Sequence, residues 1–406
     1  MDEDQIITAL DLGSSKTVAL VARLLPPEEI ELIGMGVAES RGIKNGAVTN
    51  IEQTIKSIRE ATEEAELMSG VEIEEILLNI TGKHIKGDNS TGVVAITNKD
   101  RVVTAQDIYR VVDAAQAVRI PADEEILHVL SREFKVDDQA GIKDPMGMMG
   151  VRLEADVHIV TGSSTHLQNT EKAIYQSGIH VRDKVLSSLA SSQALLTDSE
   201  KELGVAVVDI GAGTIDIIMY INGGVAYTSS IGLGGQHITQ DISIGLKTPV
   251  EAAELLKRRS GSVDLPSLND AEMVEIPSVG DRAPRMAPRI ELANIMEARM
   301  REMLELIDRE LLRSGYKNYL AGGVIFTGGA SLVEGLISLA EEVLQLGASI
   351  GTPRPISGLS EKIQSPVFAT GAGLLQYFMK YGEVHYKDNA KRNFFRKMKL
   401  WFQQNL

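Results

Sequence analysis

Short apolar runs open both halves of the chain: residues 6–10, ending in Asp11, and residues 205–208, ending in Asp209. Runs of this length, bounded by glycine turns and lacking regular polar alternation, predict strands buried on both faces. Each leads through its turn into a second apolar strand, over residues 18–22 and 217–220. Elsewhere the apolar positions recur at three- and four-residue spacing, which predicts helices over 51–68, 105–117, 165–177, 249–259, 290–312 and 332–346. Further strands are predicted over 92–97, 126–136 and 153–161, and the proline- and charge-rich stretch 266–288 predicts loop. Strands and helices alternating over 406 residues predict an α/β fold of two or more domains.

The two strand–turn–strand units carry the same chemistry. One reads Asp11-Leu12-Gly13-Ser14-Ser15-Lys16-Thr17, the other Asp209-Ile210-Gly211-Ala212-Gly213-Thr214-Ile215-Asp216. Glycine lets the backbone turn tightly and approach a ligand, and consecutive turn N–H groups form an anion-binding concavity. Asp11 and Asp209 stand where phosphate-bound Mg²⁺ takes water-mediated carboxylate contacts. Gly13, Ser14, Ser15, Lys16, Gly211, Gly213 and Thr214 supply phosphate contacts, with Lys16 bringing the charge. One such turn is commonplace; a pair in two halves of similar size predicts a duplicated polyphosphate clamp. A third glycine turn, Gly322 through Ser331, follows another strand, and Gly328-Gly329 with Ser331 offers a wall without side chains for a flat base.

The order of hairpin, hairpin and Gly-Gly-Ala-Ser turn resembles the actin, Hsp70 and sugar-kinase superfamily over nearly the whole chain. Within it, the chain is most similar to the FtsA family of actin-like cell-division proteins. The similarity rests on residues 40–48 (SRGIKNGAV), 81–85 (TGKHI), 89–92 (NSTG) and the segment from Pro145 to Glu154. The resemblance implies two ribonuclease-H-like lobes closing on ATP, with an inserted subdomain in the first lobe and a smaller one in the second. It divides the chain into a first lobe (1–82, 163–200, 364–385), an insertion (83–162), a second lobe (201–232, 306–363), its small subdomain (233–305) and a tail (386–406). It also matches Glu254 and Lys257, at i, i+3 spacing, to the contacts with ribose and adenine, although a solvated ion pair explains the same spacing. The implied partners are the tubulin homologue FtsZ, further copies of the chain in a filament, and other division proteins. The position that orients the attacking water in actin-like ATPases falls near Ser187, which is neither carboxylate nor amide, and Gln193 lies too far along. Hydrolysis is therefore expected to be slow or negligible, with Asp216 structural and no residue assigned to catalysis.

Charge and composition narrow the setting. A net charge of −15 argues against nucleic acid as partner, and the absence of cysteine rules out disulfides and thiol chemistry. No stretch approaches the roughly 20 apolar residues of a membrane-spanning helix, and the acidic start, Met1 to Asp4, is unlike a secretory signal. The seven histidines lack metal-ligand spacing and read as surface or loop residues. Residues 387–406, however, carry six basic residues against Asp388 alone. There, Phe394, Phe395, Met398, Trp401 and Phe402 share one helical face, and Arg396, Lys397 and Lys399 fill the other side. That pattern predicts an amphipathic helix lying on anionic membrane lipids, though docking on protein would use a similar face. These features predict a peripheral membrane protein, and the resemblance implies the cytoplasmic side of the membrane at the division site. A pilus-assembly protein of the PilM kind and a small-molecule kinase of the same superfamily are the alternatives.

Overall fold

The computed structural model describes residues 5–25, 29–117, 120–269, 271–280 and 283–382. The first lobe begins with β1 (Gln5–Leu12), β2 (Lys16–Leu25) and β3 (Glu29–Glu39), an antiparallel meander. A two-residue ladder, β4 (Ile43–Lys44) and β5 (Ala47–Val48), leads to α1 (Ile51–Ser69) and β6 (Glu75–Ile80). Asn50 caps α1 by accepting from the Gln53 amide, and Gly70 ends it in the left-handed conformation. β1 is central in its sheet, with β2 antiparallel on one side and β6 parallel on the other. That position explains its unbroken apolar run, since both faces are covered.

The chain then departs into the insertion: β7 (Lys86–Ala95), α2 (Ala105–Gln116), β8 (Glu124–Val136), β9 (Gln139–Ile142) and β10 (Arg152–Ser163). These strands form an antiparallel sheet in the order β7-β10-β8-β9. Ile108, Phe134 and Leu153 lie in its own buried core, and a full capping box from Thr104 and Asp107 starts α2. β7 begins six residues before the predicted strand because Lys86 to Thr91 pair with β10 despite their polar character. The chain returns through α3 (Ser164–Gln176), β11 (His180–Leu186), α4 (Ser187–Leu195) and α5 (Asp198–Leu203).

The second lobe repeats the plan with β12 (Val205–Ile210), β13 (Ile215–Ile221) and β14 (Gly224–Ile231). Its smaller part holds α6 (Gly235–Leu246), α7 (Val250–Ser260), β15 (Met273–Ile276) and β16 (Arg285–Pro288), and leads into the long α8 (Arg289–Arg313). β15 and β16 pair as a hairpin where the sequence predicted only loop. Val274, Ile276 and Ala287 turn inward, between exposed Met273, Glu275 and Met286, so burial on one face outweighs the flanking prolines and charges. β17 (Val324–Thr327) runs beside β12 and is followed by α9 (Leu336–Leu344) and β18 (Ala348–Ile350). Last come β19 (Ser357–Gly358), at the far edge of the first sheet, and α10 (Ala369–Tyr381).

All nine residues of α4 are buried, and α10 packs along it. These two helices join the lobes: the first-lobe core continues through them to Val205, Val207, Ile218 and Tyr220 on one face of the second sheet. Among the described residues no helix is long and apolar enough to cross a membrane. Two histidines expected at the surface are instead buried. His158 bridges Asn89 Oδ1 (2.7 Å) and Thr228 Oγ1 (2.9 Å), and His128 Nε2 accepts from the Leu186 amide (3.0 Å). Each imidazole satisfies buried polar groups, which local sequence spacing cannot reveal.

Candidate functional site

The two predicted hairpins close in the same way. The Gly13 amide donates to the Lys16 carbonyl at 3.1 Å, and the Gly211 amide to the Thr214 carbonyl at 2.9 Å. Their tips face each other between the lobes. A Cβ added at Gly213 would stand 2.6 Å from Ser14 Oγ and 3.0 Å from the Asn45 nitrogen. Ser14 Oγ also accepts from the Gly46 amide at 3.2 Å, which seats residues 45–46 beside the clamp. Gln236 Nε2 on α6 reaches the Ser14 carbonyl at 3.3 Å, a contact between lobes that no sequence motif signalled.

Asp11 and Asp209 end β1 and β12 and are each 8% exposed. Asp11 accepts from Asn79 Nδ2 (2.9 Å); Asp209 accepts from Ser191 Oγ (2.8 Å) and Thr370 Oγ1 (3.2 Å). Burial, opposed by Lys16 and helped by the Asp209 charge, lifts the Asp11 carboxyl to about 6. Burial likewise raises Asp209 against its hydroxyl donors. Lys16 is lowered to about 8 by burial, with both aspartates opposing. Its ammonium donates to the Val367 carbonyl and lies 4.1 Å from the centre of the Phe368 ring. Two facing carboxylates with spare lone pairs, a buried ammonium and two amide-rich turns form a donor set suited to a hydrated divalent cation on a polyphosphate.

The third glycine turn meets this clamp directly. Gly328 has φ +84°, and a Cβ there would lie 2.3 Å from Asp209 Oδ1 and 2.6 Å from the Ile210 carbonyl oxygen, so only glycine fits. A Cβ at Gly329 would meet nothing within 4 Å. Ser331 is buried and its hydroxyl donates to the Gly328 carbonyl at 2.7 Å, bracing the turn. Opposite, Lys257 Nζ donates to the Gly235 carbonyl (3.1 Å), Thr239 Oγ1 (2.8 Å) and Glu254 Oε2 (2.6 Å). Glu254 and Lys257 therefore bind each other and the start of α6 on the side of the turn, since the Cβ position at Gly235 lies 3.3 Å from Ala330 Cβ.

Asp216 does more than the sequence indicated. It pairs directly across the ladder with Asp209, so both side chains leave the same face of the sheet, towards the cleft. Thr81 Oγ1, from the first lobe, donates to its carboxylate at 2.6 and 2.8 Å, and Thr214 Oγ1 adds 3.1 Å. Burial pushes Asp216 to about 6 despite these donors. Ser187, matched to the water-orienting position, donates to the Ile80 carbonyl at 3.0 Å and accepts from Asn79. Gln193 lies far down α4 and accepts from Lys201. The predicted membrane-facing residues Phe394, Phe395, Arg396, Lys397, Met398, Lys399, Trp401 and Phe402 lie outside the described residues.

Comparison with known proteins places the chain in a family. The family model described as "Cell division protein FtsA" matches residues 206–373, and that of the "SHS2 domain inserted in FTSA" matches residues 82–161. Over 411 aligned residues the chain is 41% identical to the cell division protein FtsA of Pseudomonas aeruginosa, covering 99% of this chain and 98% of that protein. Among solved structures, a PilM–PilN type IV pilus biogenesis complex matches with a TM-score of 0.64 at 15% identity, covering 91% of this chain and 97% of that one. MreB5 of Spiroplasma citri bound to ADP matches with a TM-score of 0.54 at 12% identity, covering 92% of this chain and 96% of that one. At such identities the two structural likenesses establish an actin-like fold.

Proposed function

Since the chain belongs to the FtsA family of cell division proteins, we propose that it binds ATP with Mg²⁺ between its lobes and polymerises on the inner face of the membrane. There it would anchor the FtsZ ring and recruit later division proteins. One observation carries the nucleotide part of this reading: two hairpins with the same turn hydrogen bond meet tip to tip, Gly213 against Ser14, with Asp11 and Asp209 behind them. The residues present fit the group. Turn amides and Lys16 hold phosphate, the two aspartates hold the hydrated cation, and the Gly328–Gly329 turn with Glu254 and Lys257 borders the nucleoside. Bound Mg²⁺ supplies charge neutralisation for the phosphates.

Closure follows from the same contacts. Ser14, Asn45 and Thr81 come from the first lobe; Gly213, Thr214, Asp216 and Gln236 come from the second. A ligand gripped by both hairpins ties the lobes and favours one relative orientation, which is what a filament subunit must hold. Slow or negligible hydrolysis belongs to the same proposal, because the Ser187 hydroxyl is spent on the Ile80 carbonyl. The basic aromatic tail gives each subunit weak, reversible membrane affinity, and a filament multiplies it.

The experiment is a titration of the full chain with anionic vesicles, with and without ATP, following emission of Trp401, the single tryptophan. A blue shift that tightens with ATP and weakens with salt is expected, with filaments on the vesicles by electron microscopy. Absence of any shift in both states would remove the membrane reading. Rapid phosphoryl transfer to a small molecule would favour the kinase instead.

A further inference from the structure

A cavity apart from the nucleotide cleft opens where the insertion meets both lobes. It encloses about 320 Å³ at the junction of three bodies: β8 and the β9–β10 connection of the insertion, α4, α5 and α10 of the first lobe, and the β13–β14 turn of the second. Ligand pockets begin at about this size. Four cations line it, Arg132, Lys143, Lys201 and Lys380, against two anions, Asp198 and Glu202.

The pairing inside is incomplete. Lys143 takes Glu202 as its close partner. Asp198, largely exposed, is shared at long range by Lys201 (3.8 Å) and Lys380 (3.6 Å). The Arg132 guanidinium lies over the Tyr316 ring at 5.3 Å. Lys201 is the telling group. Only 5% of the residue is exposed; its ammonium donates to neutral Gln193 Oε1 at a long 3.3 Å and lies 5.4 Å from the centre of the Tyr220 ring, with no carboxylate among the described residues closer than Asp198. An ammonium has three donors, and a buried charge ordinarily finds a close counter-charge. Burial without one draws its pKa down to about 8, with Lys380 adding to the effect.

We propose that this cavity binds a small organic dianion, bearing carboxylate or phosphate groups, with Lys201 as its buried anchor and Lys380 as the second contact. The volume exceeds what a halide needs, and buried Lys201 with half-exposed Lys380 offers two positive charges to a ligand that carries two negative ones. The position gives the ligand a consequence. β13 carries Asp216 at the cleft end, and its turn into β14 (Asn222 to Gly224) forms a wall of the cavity. A dianion held there ties insertion, first lobe and second lobe about 20 Å from the cleft. This site does not depend on the nucleotide reading.

The test uses the full chain saturated with Mg²⁺ and ATP, so that phosphate turns in the cleft are blocked. Succinate, malate, glycerol 3-phosphate and inorganic phosphate are titrated separately by calorimetry at pH 7, which separates carboxylate from phosphate ligands. At least one dianion is expected to bind at one site per chain. Its affinity should fall tenfold or more in Lys201→Met and less in Lys380→Gln, in keeping with a lost charge-assisted hydrogen bond. In protein carrying isotope-labelled lysine, the Lys201 amine should titrate at higher pH once the ligand is bound. Failure of every dianion to saturate at millimolar concentration, competition by ATP, or equal binding to Lys201→Met would overturn the proposal. Binding of a polyglutamate peptide but of no small anion would overturn it in favour of a polypeptide partner. If Lys201→Met does not fold, Lys380→Gln and the lysine titration decide.

Discussion

Gly329→Ala separates the nucleoside wall from the fold that carries it. The added methyl meets nothing within 4 Å, and the residue's φ lies outside the range that penalises side chains. The substitution should therefore not harm the apo protein, and reduced freedom of the unfolded chain should stabilise it by about 0.4–1 kcal/mol. A base lying flat on the Gly328–Gly329 backbone leaves no room for that methyl. Forcing a group into a filled contact costs about 1–3 kcal/mol, which weakens ATP roughly five- to 150-fold. The neighbour Gly328→Ala provides the contrast. Its Cβ would strike Asp209 Oδ1 at 2.3 Å with φ at +84°, so stability and ATP affinity should fall together. Differential scanning calorimetry reports the fold, and displacement of a fluorescent ATP analogue reports binding. The reasoning fails if Gly329→Ala binds ATP within twofold of the parent, or if its apo melting temperature drops.

Three further outcomes follow from the buried charges. Asp11 has a folded pKa near 6 against an ordinary 3.8, so the native state holds a proton that the unfolded chain has lost. Apo stability should then fall as pH rises from about 4 to about 6, by about 3 kcal/mol for a shift of that size. Asp11→Asn should make that slope shallower, leaving the share of Asp209 and Asp216, and raise the apo melting temperature at pH 7, yet abolish stabilisation by Mg²⁺ and ATP; calorimetry from pH 4.5 to 7.5 checks both. Thr81→Val removes a donor that favours ionised Asp216, whose pKa lies near 6. Its cost, about 1.5–3 kcal/mol, should be larger at pH 8 than at pH 5 in urea denaturation, and equal costs would refute the role. Lys257→Ala should weaken ATP about tenfold while leaving phosphate-analogue binding unchanged, because Lys257 sits on the nucleoside side of the cleft with Glu254.

The parts of the site legible in the sequence are those that a few consecutive residues build. A strand ending in aspartate and a turn closed by one amide–carbonyl hydrogen bond need only seven or eight residues, and both hairpins appear as read. What stayed hidden depends on distant pieces meeting. Ser191 and Thr370 converge on Asp209 because α4 packs along α10, and no spacing rule spans 179 residues. Thr81 and Gln236 matter only because the lobes close, and His158 was misread because its partners lie on two other strands.

The same distinction bears on catalysis. The residue types near the inter-lobe helix lead us to expect slow turnover, and the contacts there bear on that proposal. Ser187 and Gln193 are each committed elsewhere, to the Ile80 carbonyl and to Lys201. Asp216 is a third carboxylate at the cleft, beside Asp11 and Asp209, and it accepts from Thr81, one of the residues that bridge the lobes. We propose that the Thr81 and Thr214 donors fix the direction of this carboxylate, so that closure competes with its turning towards an attacking water. Thr81→Val, by releasing that carboxylate, should therefore raise whatever ATP turnover the protein has even as it lowers stability. A coupled phosphate-release assay on folded protein tests this, and turnover that falls with stability would refute the competition.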